Sequence, residues 1–198
     1  MKIVLASSNE HKVKEINEIV ADSGIEFILP PEGFDPIEDG TTFEENSLIK
    51  ARAAWELTKN WAMADDSGLC IDALNGNPGI YSARYANTPQ TRIERVLREL
   101  EGVKDRSARF VCAMTLINPA GEVAFACKGI CEGSIIEEQR GTHGFGYDPI
   151  FLLKDSDRTM AELSDKEKNK VSHRAVALSK MLGYLHHLRS KSVYDNIK

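Results

Sequence analysis

Short apolar runs alternate along this chain with stretches in which apolar residues recur at helical spacing. Short runs bounded by turn residues predict strands, whereas recurrence at i, i+3 and i+4 predicts helices. The runs predict strands over residues 2–6, 25–29, 61–64, 69–74, 108–117, 122–133 and 150–153. The helical spacings predict helices that begin after residues 7–9, at residue 42, at residues 88–89, at residue 164 and at residue 172.

Local signals mark several of these helix ends. Thr42 precedes Glu45 by three residues and Ser164 precedes Glu167 in the same way, which is the pattern of a capping box. The helix that Thr42 opens is predicted to run to about residue 59. The polar tail after Arg189 is expected to fray.

The order of the elements predicts the fold class. Helices separate the early strands, while residues 118–121 (Asn-Pro-Ala-Gly) join two long strands as a hairpin. We therefore expect an α/β fold with a mixed central sheet flanked by helices. A chain of 198 residues is long enough for a single domain with a substantial core.

The composition and charge of the chain limit the kinds of ligand that it is expected to bind. Hydrophobic residues make up 42% and charged residues 28%, as in an ordinary globular protein. Lys and Arg total 25 against 30 for Asp and Glu, which leaves a formal charge of −5. This balance disfavours nucleic-acid binding through bulk charge, although a local basic pocket could still hold a small polyanion.

The chain shows no targeting or membrane signal. No apolar run approaches the ~18 residues that a membrane helix needs, and the apolar stretch near the N-terminus is too short for a signal peptide. We expect a cytoplasmic protein with no membrane partner. Cys70, Cys112, Cys127 and Cys131 form no CxxC pair and are expected to be reduced core residues.

A polar segment follows the first predicted strand and opens a helix. It consists of Ser7, Ser8, Asn9, Glu10, His11 and Lys12. A helix N-terminus offers backbone N–H groups and partial positive charge, so these side chains would suit a phosphate chain. An ordinary helix cap explains the segment equally well, and its lack of glycine excludes a Walker A loop.

Adjacent carboxylates follow the short strand predicted at residues 61–64. Asp65 and Asp66 at a strand end are costly unless a cation lies nearby, and Mg²⁺ held by few carboxylates plus phosphate oxygens is the usual solution. A solvated Asp-Ser-Gly turn is the alternative. Glu38, which lies in a loop and not at a helix start, is the further candidate metal ligand.

Two later segments suit a planar base. In residues 144–149 (Gly-Phe-Gly-Tyr-Asp-Pro), Phe145 offers a stacking face and Asp148 can accept from a ring N–H, although a plain turn has the same pattern. Lys168 suits a phosphate, and Arg174 can donate forked hydrogen bonds to a purine O6 and N7. Taken singly, each of these cations is better explained as part of a solvated charged helix face.

Together these segments resemble the inosine triphosphate pyrophosphatase family, also called the XTP/dITP pyrophosphatases. The matches run in family order from residue 3 to about residue 182. They are Ser7-Ser8-Asn9-x-x-Lys12, Glu38-Asp39-Gly40-x-Thr42-Phe43-x-Glu45-Asn46, Ala64-Asp65-Asp66-Ser67-Gly68, Pro78-Gly79-x-Tyr81-Ser82-Ala83-Arg84, Gly144-Phe145-Gly146-Tyr147-Asp148-Pro149 and Ser172-His173-Arg174.

The resemblance implies a function and an architecture. It implies Mg²⁺-dependent hydrolysis of ITP, dITP and XTP to the monophosphate and pyrophosphate, which cleanses the nucleotide pool. It also implies one catalytic domain over residues 1–198, an elongated sheet with two lobes around an active-site cleft, and a homodimer.

The resemblance further implies roles for individual residues. Asp66 would be the proton acceptor and a Mg²⁺ ligand, with Glu38 supporting the metal. The triphosphate would be held by Ser7, Ser8, Asn9, Glu10, His11, Lys12, Ser67 and Lys168. The base would be held by Phe145, Gly146, Tyr147, Asp148, His173 and Arg174.

Three other functions compete with this one. A Maf-type nucleotide pyrophosphatase shares a similar fold and reaction, but residues 145–148 with His173 and Arg174 argue against it. A non-catalytic nucleotide sensor would not need to keep Asp66 and Lys168. A Mg²⁺-dependent nuclease is disfavoured by the acidic balance of the chain.

Overall fold

A computed structural model describes residues 1–7, 13, 16–17 and 20–195, with side chains throughout except at residues 22 and 191–195. Most of the first predicted helix lies outside the described residues. So do five of the candidate phosphate-binding residues, namely Ser8, Asn9, Glu10, His11 and Lys12.

Strands and helices alternate in the first half of the chain, as predicted. The strands are β1 (Lys2–Leu5), β2 (Glu26–Ile28), β3 (Ala62–Ile71), β4 (Ser107–Ile117), β5 (Val123–Ile135) and β6 (Phe151–Leu153). The α-helices with described bounds are α1 (Phe43–Thr58), α2 (Pro89–Glu99), α3 (Asp165–Val171) and α4 (His173–Asp195).

The strands form one six-stranded sheet in the order β2-β1-β3-β4-β5-β6. β1 pairs in parallel with β2 and with β3, whereas β5 and β6 pair antiparallel. β4 and β5 are neighbours in the sheet, and at their turn the amide of Asn118 donates to the Glu122 carbonyl at 3.0 Å. The predicted mixed α/β sheet is thereby confirmed.

The prediction of two strands separated by a turn at residues 65–68 is wrong. β3 runs without interruption from Ala62 to Ile71, and only Asp72–Leu74 leave the strand as a 3₁₀ turn. Asp, Ser and Gly favour turns locally. The registered pairing of β3 with β1 reaches only Met63, but β3 is also hydrogen-bonded to β4, and its place in the sheet outweighs the local preference. Because side chains alternate along a strand, Asp65 and Asp66 project to opposite faces.

Two further features concern residues 79–84 and the C-terminal helix. The segment between β3 and α2 contains a 3₁₀ helix, Gly79–Arg84. The C-terminal helix continues past Arg189 to Asp195, and the Arg189 guanidinium donates to the Ser23 carbonyl. Fraying of the tail after Arg189 stays a prediction.

Local capping explains where the helices begin. Ser164 and Glu167 form the predicted capping box. At α1, Thr42 Oγ1 accepts from the Glu45 amide at 3.1 Å as predicted, but the Glu45 carboxylate turns to the amide and hydroxyl of Thr41, at 2.7 and 2.8 Å. These hydrogen bonds from Thr41 lower the pKa of Glu45.

Contacts divide the chain into two compact units. Unit 1 consists of Met1–Asp66, Ala113–Cys127 and Leu178–Lys198, and unit 2 of Ser67–Cys112 and Lys128–Ala177. A core cluster of unit 1 consists of Val4, Ala6, Ala51, Ala54, Ala62, Ala64 and Ile117. The core of unit 2 is built from larger side chains, among them Leu69, Ile93, Leu100, Phe110, Ile150, Phe151 and Met160.

The structure also bears on the cysteines and on membrane-spanning helices. None of the four cysteines forms a disulfide, and Cys112 and Cys131 are buried. Among the described residues, no helix combines the length and apolar character needed to cross a membrane.

Candidate functional site

Unit 1 gathers carboxylates around one ammonium group. Lys50 Nζ lies 3.0 Å from Glu38 Oε2 and 3.3 Å from Asp66 Oδ1. The charge of the buried Asp65 also acts on Lys50. We call Glu38, Asp65, Asp66, Lys50 and Asn46 the acid cluster. It unites both predicted metal ligands, Glu38 and Asp66, which stand 28 positions apart in the sequence.

Asn46 fixes the position of the Asp66 carboxylate. Its Nδ2 donates to Asp66 Oδ2 at 3.2 Å, and its Oδ1 accepts from the Gly40 amide at 2.9 Å. A Cβ at Gly40 would lie 2.6 Å from Asn46 Oδ1, so a side chain there would push the amide away. The loop before α1 thereby orients Asn46, and Asn46 orients Asp66.

The electrostatics of the acid cluster favour a carboxylate that takes up a proton readily. Burial raises the pKa of Asp66, while the Lys50 charge and the Asn46 hydrogen bond oppose this rise. Burial alone would lower the pKa of Lys50, but Asp66, Asp65 and Glu38 outweigh it, and the pKa is raised. Lys50 therefore stays charged, and Asp66 is shifted towards the range that suits a general base.

The donors of the acid cluster fit a hard divalent cation that arrives with its own oxygen ligands. Among the described residues, no three His, Cys, Asp or Glu side chains are grouped so that they could hold a metal alone. Glu38 and Asp66 nevertheless converge on a single cation, the ammonium of Lys50. Mg²⁺ is commonly bound by one or two carboxylates together with phosphate oxygens and water.

Unit 2 contains a cavity of about 200 Å³ that is lined by all six of the predicted base-binding residues. Aromatic rings and small residues line it, with two arginines and one carboxylate. The lining residues are Ser67, Gly68, Leu69, Ser82, Ala83, Arg92, Phe110, Phe145, Gly146, Tyr147, Asp148, His173 and Arg174.

The loop of residues 144–149 is closed on itself by Asp148. Asp148 Oδ2 accepts from the Phe145 amide at 2.8 Å and from Lys168 Nζ at 2.5 Å. Lys168 Nζ also lies 4.3 Å from the centre of the Phe145 ring. Gly144 has a φ of +75°, and a Cβ there would collide with the Asp148 carboxylate, so only glycine fits this close approach.

The start of α4 supplies two further cavity residues. The buried His173 ring stacks on Phe110, with centroids 4.9 Å apart and an interplanar angle of 16°. Arg174 Nη2 donates to Ser67 Oγ at 3.4 Å, which brings together two residues that the resemblance assigned to base and phosphate. Ser172 Oγ accepts from the Ala175 amide at 3.1 Å and so caps the helix.

The structure also places residues that the sequence left without a role. Lys50 and Asn46 belong to the acid cluster, and their spacing of four on α1 puts them on one helix face, a signal available in the sequence. Arg92 and Phe110 line the cavity, but no motif marked them. Lys168, predicted to hold the triphosphate, contacts Asp148 and Phe145 of the base-binding segment, and its triphosphate role stays a prediction.

A larger depression in unit 2 contains none of the predicted residues. It measures about 1170 Å³ and is lined largely by charged side chains, including Arg109, Glu132 and Arg158. Arg109 is already held there by two carboxylates, Asp72 at 2.8 Å and Glu132 at 3.1 Å. Size alone therefore does not identify the functional site.

The chain is similar to known proteins over most of its length. The sequence model of the Ham1 family matches residues 3–184. The chain is 49% identical over 194 residues to the dITP/XTP pyrophosphatase of Oceanobacillus iheyensis, covering 93% of this chain and 98% of that protein. It is 50% identical over 186 residues to the dITP/XTP pyrophosphatase of Bacillus subtilis, covering 90% of this chain and 93% of that protein.

A solved structure shares the fold. The Ham1 protein of Coxiella burnetii superposes with a TM-score of 0.88 at 45% identity, covering 94% of this chain and 99% of that one. Similarity of this extent covers β1 through most of α4, and with them both the acid cluster and the cavity.

Proposed function

Because the chain belongs to the Ham1 family, we propose that it hydrolyses ITP, dITP and XTP to the monophosphate and pyrophosphate and so removes non-standard purines from the nucleotide pool. The cavity of unit 2 carries this proposal. It combines an aromatic face, a carboxylate and a guanidinium, in Phe145, Asp148 and Arg174.

These three groups suit an oxidised purine, by which we mean a purine with a carbonyl at position 6 and a proton on N1. Phe145 is 65% exposed, so its ring is available for stacking on a flat base. Asp148 would accept from the N1–H that hypoxanthine and xanthine carry and adenine lacks. Arg174 would donate to the 6-carbonyl, where adenine has an amino group. An adenine base would leave donor and acceptor unmatched, which costs about 1–3 kcal/mol for each buried group.

The acid cluster would serve the reacting phosphate. Glu38 and Asp66 would hold Mg²⁺, which when bound neutralises phosphate charge. The Asp66 carboxylate would accept the proton of the attacking water, and Asn46 would keep it oriented. Its raised pKa, caused by burial, suits this exchange. Ser7, Ser67 and the segment from Ser8 to Lys12 would bind the phosphate oxygens.

One substrate panel tests the function. The protein is given ITP, dITP, XTP, GTP and ATP with Mg²⁺, and pyrophosphate and orthophosphate are measured separately. We expect pyrophosphate from the first three and a rate at least about 100-fold lower with ATP. Orthophosphate as the sole product would refute the reaction, as would equal rates with ATP. Binding without turnover would indicate the sensor, and a preference for other bases would indicate the Maf-type enzyme.

Metal dependence is tested in the same assay. Excess chelator should abolish pyrophosphate release, and added Mg²⁺ should restore it. Full activity in chelator would contradict the assignment of Glu38 and Asp66 as Mg²⁺ ligands.

Further proposals concern assembly and setting. We propose a cytoplasmic homodimer in which residues 1–198 form one catalytic domain without nucleic-acid or membrane partners. The family resemblance supports the dimer, and the formal charge of −5 supports the absence of nucleic acid. Light scattering should give twice the chain mass of 22.0 kDa. A single-chain mass would overturn the dimer.

A further inference from the structure

The segment of residues 78–84 has no role in the proposed reaction, although it is one of the family-like motifs. Most of it forms the 3₁₀ helix Gly79–Arg84. Its Ser82 is only 7% exposed and lines the cavity of unit 2. A buried hydroxyl in this place calls for an account of its hydrogen bonds.

Ser82 is tied to two other segments of unit 2. Its Oγ accepts from the Leu69 amide of β3 at 2.9 Å and donates to the Gly79 carbonyl at 2.6 Å. Its own carbonyl accepts from the Tyr147 hydroxyl at 2.9 Å. Ser82 therefore links the strand position two residues after Ser67 to the loop residue beside Asp148.

Ser82 is connected to the loop of residues 144–149 by the hydrogen bond from the Tyr147 hydroxyl. The Tyr147 side chain is 5% exposed, and burial raises the pKa of its hydroxyl to about 12. The hydroxyl therefore remains protonated and keeps donating to Ser82 at any working pH. Tyr147 also lines the cavity, together with Phe145 and Asp148 of the same loop.

The loop needs such an external tether. Gly144 and Gly146 flank Phe145 with φ values of +75° and +62°. Asp148 closes the loop through the Phe145 amide, but glycine adopts many backbone conformations at little cost, so this local hydrogen bond does not fix where the closed loop stands relative to β3. A recognition site requires its groups within about 0.5 Å of their working positions.

We propose that Ser82 is a positioning residue for base selection, acting through Tyr147 on Phe145 and Asp148. This inference rests on the proposed function. Ser82 touches neither the phosphate nor the acid cluster in this role. It sets where the loop of residues 144–149 stands relative to β3 within unit 2, and thereby how well an oxidised purine is preferred over adenine.

The test compares dITP with ATP in variants of the link. Tyr147→Phe removes the donor and keeps the ring, and Ser82→Ala removes the hydroxyl that holds Leu69 and Gly79. Each should lower kcat/KM for dITP about tenfold and leave the low rate with ATP nearly unchanged. The preference for dITP over ATP should therefore fall about tenfold. Ser82→Thr, which keeps the hydroxyl, should retain most of the preference for dITP over ATP.

A double variant separates positioning from simple destabilisation. If Ser82 acts through Tyr147, Ser82→Ala should change the preference less than about twofold once Tyr147→Phe is present. Val96→Ala truncates a fully buried core residue of unit 2 that does not line the cavity. It should lower the thermal midpoint without changing the preference.

The outcomes are distinguishable. Wild-type hydrolysis of dITP, combined with a preference that stays within twofold in both single variants, overturns the inference and leaves the proposed function intact. Additive losses in the double variant overturn the route through Tyr147. A wild-type protein that fails to hydrolyse any oxidised purine triphosphate overturns the proposed function, and this inference with it.

Discussion

Each unit contains a buried carboxylate–lysine pair, and the two pairs differ in their charge balance. In unit 1, Lys50 contacts both Asp66 and Glu38, and the buried Asp65 adds a third negative charge. In unit 2, Lys168 forms one ion pair within the described residues, with Asp148, and lies over the Phe145 ring. In both units the lysine side chain is only 13% exposed.

The difference indicates what each pair can accept. The acid cluster carries more negative than positive charge, so it can take a further cation and, with it, a phosphate chain. The Asp148–Lys168 pair is balanced and stands beside aromatic surface, which suits an uncharged base. Four substitutions test this contrast, from the largest expected effect to the smallest.

Asp66→Asn should abolish turnover. The amide cannot accept the proton of water, and general-base catalysis is worth about 10²–10⁴-fold. We expect kcat for dITP to fall at least about 1000-fold. The thermal midpoint should stay near that of the wild type, because Lys50 keeps its ion pair with Glu38 when Asp66 is replaced. The matched control Asp105→Asn, at an exposed position whose amide can still accept from Ser107, should keep full activity. Turnover at the wild-type rate in Asp66→Asn would show that Asp66 is not the general base.

Lys50→Met should destabilise the protein in a way that depends on pH. Removal of one partner of a buried ion pair costs about 3 kcal/mol. Burial already raises the pKa of Asp66, and Lys50 opposes that rise, so without Lys50 the pKa climbs further. A carboxyl with a raised pKa in the folded state favours folding when protonated, so the loss should be larger at pH 7 than at pH 5.

Urea unfolding at the two pH values measures this difference. Lys2→Met is the matched control, because its ion pair with Glu26 at 3.5 Å is exposed, and it should change stability little. If the loss of unfolding free energy in Lys50→Met were larger at pH 5 than at pH 7, Lys50 would not be the group that opposes the raised pKa of Asp66.

Phe145→Ala should weaken binding of the base without harming the fold. Stacking of a base on an aromatic ring is worth about 1–3 kcal/mol, so KM for dITP should rise about tenfold with kcat within threefold. Leu57→Ala, which removes a comparably exposed apolar side chain from α1, should leave KM unchanged. An unaltered KM in Phe145→Ala would show that the base does not stack there.

Lys168→Met separates the two roles open to this residue. If Lys168 serves the base through Asp148 and Phe145, KM for dITP should rise about threefold to fivefold, and inhibition by inorganic tripolyphosphate should stay the same. Weaker inhibition by tripolyphosphate would support the triphosphate role that the resemblance implied. Lys170→Met, on the same helix and exposed, is the control.

Much of the fold and family was predictable because the signals are local. The capping box at Ser164, the helix start at residues 88–89, the turn at residues 118–121 and the apolar periods each depend on neighbouring residues. The structure confirms the helices and strands they predict, apart from the break at residues 65–68. The family resemblance, carried by ordered motifs, is confirmed by the match over residues 3–184. The predicted strand break at residues 65–68 is wrong because the pairing of β3 within the sheet depends on residues distant in the sequence.

The candidate site was predictable in its residue types but not in its connections. Glu38 and Asp66 were singled out as metal ligands, whereas Lys50, which joins them, carried no motif. Ser82 and Tyr147 stand 65 positions apart, and their hydrogen bond has no signature in the sequence.

The sequence by itself determined the mixed α/β class, the starts of α1 to α4, the family and the kinds of side chain available for a nucleotide. Only the tertiary structure decided that Asp65 and Asp66 lie within a continuous strand, that Lys50 contacts two carboxylates, and that Ser82 accepts a hydrogen bond from Tyr147. Propensity and capping act over a few residues, whereas sheet pairing, burial and ion pairing join residues that are distant in the chain, and their free energies depend on that assembled environment.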